Sequence, residues 1–159
     1  MGSFGRCRTV VAAVCIVIGF AGARADDTQE ITNYALSAAG LSKYAQATKN
    51  LAALPDGCAD DDSDAETDSI TAMVARIDSV PGATAAVKSA GLSTHEYVVF
   101  SMSLLQNGVA AWALTQPGGT LPPGTSKANV DFVNQHGAEI KQLQSLAHRC
   151  EEADDIDEE

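Results

Sequence analysis

The residues that could do chemistry are few: three histidines, four cysteines, three methionines and a run of acids. His136 is the leading candidate. It follows Val133 by three residues and precedes Ile140 by four, so a helix would turn it toward the apolar side. A histidine on the inner face of a helical bundle can ligate haem or a metal ion, and Met73 or Met102 could supply a soft axial partner. The same pattern also fits a core histidine hydrogen-bonded to a neighbour, and a methionine in a helical stripe is ordinarily core. His148 lies twelve residues beyond His136, about 18 Å along a helix axis, too far to share one metal. His95 falls in a helix start and is expected to be exposed. The haem-attachment motif Cys-x-x-Cys-His and the zinc-protease motif His-Glu-x-x-His are both absent from the sequence.

Asp60, Asp62 and Asp64 have the alternate spacing of the first ligands of an EF-hand loop. The pattern then fails, with Ala65 where a glycine must turn the chain and Thr71 where a bidentate glutamate is required. There is no Gly-x-Ser-x-Gly elbow and no Walker lysine beside the glycines of the 116–125 turn. Acids are plentiful, but they concentrate in two stretches, 56–68 and 151–159. Catalysis needs positioned groups, so no catalytic residue is assigned.

The first 25 residues carry the layout of a secretory signal. Arg6 and Arg8 make a positive start, residues 10–20 an apolar run, and Ala23-Arg24-Ala25 a small-x-small cleavage site. The run is too short to span a bilayer core of about 30 Å. Cleavage after Ala25 would leave 7 bases against 21 acids, a formal charge of −14. Such a chain repels phosphate backbones, so nucleic acid and anionic membrane surfaces are not expected partners. A periplasmic or secreted location follows. In an oxidising compartment, the two cysteines left after cleavage, Cys58 and Cys150, are expected to form one disulfide.

Stepping along the rest of the chain, helical spacing dominates. Ser37 caps a helix over 38–54, with Leu41, Tyr44, Ala45, Thr48, Leu51 and Ala52 on one face. Residues 27–34 fit either a short helix or an extended arm. A second helix is expected over 65–79, striped by Ile70, Met73, Val74, Ile77 and Val80. A short third runs over 83–90 and stops at Gly91. Ser93-Thr94-His95-Glu96 is a capping box opening a helix to Leu114. From Tyr97 to Leu114 that helix has no charged residue. It reads as the buried centre of a bundle, since Gln106 and Asn107 near its middle disfavour a membrane span. After a Pro/Gly-rich turn, a last helix is expected over 127–150, with Val130, Val133, Gly137, Ile140, Leu143, Ala147 and Cys150 facing inward.

The expected fold is therefore all-α: an antiparallel-type bundle of four main helices plus a short one, occupying residues 26–150, with a disordered acidic tail over 151–159. Several segments are similar to an uncharacterised family of secreted bacterial all-helical proteins: Tyr34-Ala35-Leu36-Ser37, residues 44–51, Gly91-Leu92-Ser93 with Glu96-Tyr97, and residues 128–133. The resemblance implies the fold and no activity. The expected role is a non-enzymatic one, binding an unknown protein or small ligand without stable membrane insertion. The alternative is a haem- or metal-binding bundle using His136.

Overall fold

The computed structural model describes residues 25–54 and 69–148. The signal segment, the acidic stretch around Asp60, both Cys58 and Cys150, and the acidic tail lie outside the described residues. Within them there are seven helices and no strand: α1 (Ala25–Asn33), α2 (Ala38–Ala52), α3 (Ile70–Ser79), α4 (Ala83–Ser89), α5 (Thr94–Leu114), α6 (Lys127–Gln135) and α7 (Gly137–His148). The all-helical expectation holds, and of the segment 27–34 residues 27–33 are helical.

The helix starts follow the local chemistry. The Ser37, Ser69, Ser93 and Ser126 hydroxyls each accept from the backbone N–H three residues on, pairing donors that the first turn leaves without partners. At α5 the capping box is complete. The Ser93 N–H donates to Glu96 Oε2 at 2.8 Å while the Glu96 N–H donates to Ser93 Oγ at 3.1 Å. The Ser93 N–H first, and second the Ser93 hydroxyl, which also donates to Glu96 Oε2 at 2.8 Å, hold the Glu96 carboxyl below the usual carboxylate range. α4 ends at Gly91, whose φ of 82° is a backbone state open to glycine at little cost.

The last helix is not continuous. His136 leaves helical geometry at φ −101°, ψ 13°, and the chain restarts at Gly137 as α7. Glycine is a poor helix interior residue, so a break there costs little. The gain is packing in two directions: α6 lies against α5, and α7 lies against α2. A straight helix over 127–150 would have to present one line to both.

Three apolar clusters share α5. Leu41, Ala45, Phe100, Leu104, Ile140 and Leu143 form the largest, between α2, α5 and α7. Ala47, Val87 and Leu92 join α2 to α4. Ile70, Val98 and Val99 join α3 to α5. Aromatic rings link them. Tyr44 stacks on both Tyr97 (4.9 Å between centroids) and Phe100 (5.1 Å), and Tyr34 meets Phe100 edge-on at 5.9 Å. Tyr97 is well buried, and that burial pushes its hydroxyl far above the usual phenol value. Its oxygen lies 3.2 Å from Thr48 Oγ1, which also donates to the Tyr44 carbonyl.

The non-helical link between α1 and α2 is held by one side chain. Asn129, on α6, accepts from the Leu36 N–H at 3.1 Å and donates to the Tyr34 carbonyl at 2.8 Å. It thereby satisfies two backbone groups that no helix pairs. Asp78 plays a similar part where α3, α4 and α5 meet. Its Oδ1 accepts from both Thr84 and Thr94 hydroxyls, at 2.6 and 2.8 Å, tying the end of α3 to the starts of α4 and α5. Those two bonds, Thr84 first, hold its carboxyl below the usual range.

Removing Asn129 leaves two backbone groups unpaired. Asn129→Ala is expected to cost about 2–6 kcal/mol in urea unfolding, at roughly 1–3 kcal/mol for each of the two orphaned groups. Gly40→Ala places a Cβ 2.7 Å from Phe100 Cε2. Phe100 is fully buried, so the overpacking is expected to cost about 1–3 kcal/mol in the same assay. A carboxyl with a depressed folded pKa stabilises above its unfolded value, about 3.9 for Asp and 4.3 for Glu, and loses that contribution as pH falls through the lower folded value. Thermal stability should therefore decline on acidification below pH ~4, and Asp78→Asn should flatten part of the decline. An unchanged slope in that variant would remove Asp78 from this account.

Candidate functional site

His136 caps the end of α6. Its N–H donates to the Phe132 carbonyl at 3.0 Å, and its ring sits 4.3 Å from that of Phe132. Nδ1 lies 3.5 Å from Glu139 Oε2, with the histidine side chain 29% exposed. Its ring neighbour, Phe132, packs on the cluster built around Phe100 and Ile140. Met73 and Met102 belong instead to the Ile70–Val98–Val99 cluster, so the three candidate ligands are not brought into one cluster. Among the described residues no group of three or more histidine, cysteine or acidic side chains could hold a metal ion. His95 is half-exposed and pairs with Glu30 of α1 at 2.8 Å. Its tie is therefore between helices.

The polar residues inside α5 have structural partners. Ser103 Oγ donates to the Ile31 carbonyl at 3.0 Å, and Gln106 Nε2 donates to Thr32 Oγ1 at 3.2 Å. Both bind α1, which brings few apolar side chains of its own. Asn107, 2% exposed, donates to the Ser103 carbonyl at 2.7 Å. Gln106 Oε1 and Asn107 Oδ1 are buried acceptors without a donor among the described residues. Unmade bonds of this kind cost energy, and a buried water is their usual partner.

α5 itself departs from the expected picture of a helix buried all round. Val98, Val99, Phe100, Ser103, Leu104, Asn107 and Ala110 are buried, covered by α1, α2, α3, α4 and α6. The opposite side is open. Leu105 is 54%, Val109 50% and Trp112 64% exposed. At roughly 100° of rotation per residue, positions 105, 108, 109 and 112 form one stripe, the spacing by which a helix packs against another helix. Gly108 sits in the middle, and a Cβ built there meets nothing within 4 Å. Leu114 is also exposed, but two residues past Trp112 it falls on the other side of the helix. α5 is also long and apolar enough to cross a membrane by length and composition alone.

This stripe is the largest apolar feature that the described residues leave uncovered, and it carries no titratable group. From Tyr97 to Ser126 the sequence holds no charged residue. The chemistry open to such a surface is apolar contact. The sequence held the signal in the 105/109/112 spacing and the missing charges. A helix apolar on every side gives no indication of which side its neighbours cover, so by sequence all of it reads as core.

Because Trp112 is the only tryptophan, its emission reports on the stripe directly. In dilute protein it should be red-shifted and readily quenched by acrylamide. Trp112→Ser should change unfolding stability by no more than about 0.5 kcal/mol, as for a surface position, whereas Leu104→Ala should cost about 2–5 kcal/mol. A blue, unquenched emission would place Trp112 inside the fold and remove the stripe. No family model matches the chain, and no curated protein or solved structure matches it either.

Proposed function

We propose that the protein is an exported, non-enzymatic helical bundle that works by binding, and that the Leu105–Val109–Trp112 face of α5 is its binding surface. The carrying observation is the exposure of Trp112 at 64% within an uncharged helical stripe. Leaving three large apolar side chains in water forgoes roughly 1.5–3 kcal/mol of burial for each Val- or Leu-sized group. Contiguous apolar patches of this kind commonly mark interaction sites, and tryptophan is enriched among interface residues that carry binding energy.

The bundle in this reading is closed by a Cys58–Cys150 bridge. α2 leads toward Cys58 and α7 toward Cys150, and these two helices pack together. Export rests on the positive, apolar and small-x-small order of residues 1–25. The acidity carried by the 56–68 and 151–159 stretches keeps the chain soluble while the α5 face stays uncharged.

The test is a photo-crosslinking amino acid placed at position 105 in an exporting host, with position 49 as control. Lys49 is exposed on α2, away from the stripe. An adduct is expected from position 105 and not from position 49. If neither position gives an adduct, or both give the same ones, the α5 face is not a binding surface.

A further inference from the structure

We infer that the partner of the α5 stripe is a second copy of this chain, docked through its own α5 in antiparallel, two-fold packing. The inference rests on the reading of α5 as a binding surface and names the occupant. A two-fold interface requires that if residue i meets residue j, then j meets i. Place the axis between Gly108 and Val109. Val109 then faces the partner's Gly108, and Trp112 faces the partner's Leu105. Each pairing sets a larger group against a smaller one. The Val109 side chain enters a gap that the structure leaves open, because nothing lies within 4 Å of a Cβ at Gly108. Gaps filled by opposing side chains are what close helix packing requires.

Charge favours the same face. The chain has 21 acids against 10 bases, and like charges brought together across an interface cost energy. With no charged residue from Tyr97 to Ser126, two α5 stripes meet without placing acid against acid. The rest of the chain offers no better cover. Residues 55–68 contain no large apolar side chain, and residues 149–159 contain only Ile156. Residues 1–25 are expected to be removed on export. The contact spans about two helical turns, at the small end of specific interfaces, below roughly 1,200 Å² in total. The dimer should accordingly be weak, with a Kd on the order of tens of micromolar.

The experiment is sedimentation velocity on the full protein purified after export, over about 5–500 µM to bracket that Kd, with Trp112 emission read on the same samples. The expected result is a monomer–dimer equilibrium, with emission shifting blue over the same concentration range. Raising the salt should tighten the dimer a few-fold by screening the net negative charge. Gly108→Leu fills the gap for which the monomer has room. It should weaken dimerisation by about tenfold or more, the scale of losing one packed side chain, while helix content and unfolding stability are retained. A monomer at the highest concentration overturns the proposal. So does a dimer whose Trp112 emission stays red and whose Kd ignores Gly108→Leu, since that dimer uses another face. The binding surface is judged separately. A crosslink from position 105 to a different protein, alongside a monomer in solution, keeps the surface and rejects the second copy.

Discussion

The Tyr34–Leu36 segment joins α1 to α2 outside any helix, and its backbone groups need partners. Asn129 supplies them with one side-chain amide. Its two bonds tie the link between α1 and α2 to α6. Tyr34 then meets Phe100 edge-on, and α2 comes close enough that Gly40 has no room for a side chain. Tyr34 and Leu36, the two residues whose backbone Asn129 pairs, both pack against the cluster of Leu41, Phe100 and Ile140. Residues 34–37 and 128–133, far apart in the chain, meet at this side chain. They are structural partners.

Everything else is arranged around α5. Five other helices cover one side of it, through apolar contacts along most of its length and through hydrogen bonds where α1 crosses it. The covered side includes Ser103, Gln106 and Asn107, whose bonds to α1 and to the helix backbone replace the water they lose. The uncovered side has no such polar groups. It is an uncharged stripe in a chain that is otherwise strongly acidic, and this contrast supports a role in association. Polar atoms are hidden under a polar helix, while tryptophan and leucine face outward.

The break at His136 gives that histidine a structural part at the end of α6. Histidine at that spacing fits an inward ligand. In the fold it ends α6, stacks on Phe132 and approaches Glu139 across the first turn of α7. The turn it makes lets the last third of the chain contact both α5 and α2. No local signal separates these outcomes, because both need a histidine between apolar positions.

Helix starts were legible in the sequence because their causes are local: a serine hydroxyl three residues from an N–H, a glutamate reaching back to it, a glycine able to take positive φ. The all-α class was legible for the same reason, since apolar spacing near 3.6 has one meaning in residues 38–52, 70–79 and 94–114. Other features depended on neighbours distant in the chain. Residues 25–33 are helical and docked through bonds to Ile70, His95 and Ser103, partners more than 40 residues away that no local window contains. Asn129 reads as an ordinary helix residue until Tyr34 and Leu36 are beside it. The stripe at Leu105, Val109 and Trp112 has the same composition as the buried side of its own helix. Only the tertiary structure, by placing α1, α3 and α6 on one side, decided which apolar residues became core and which became surface.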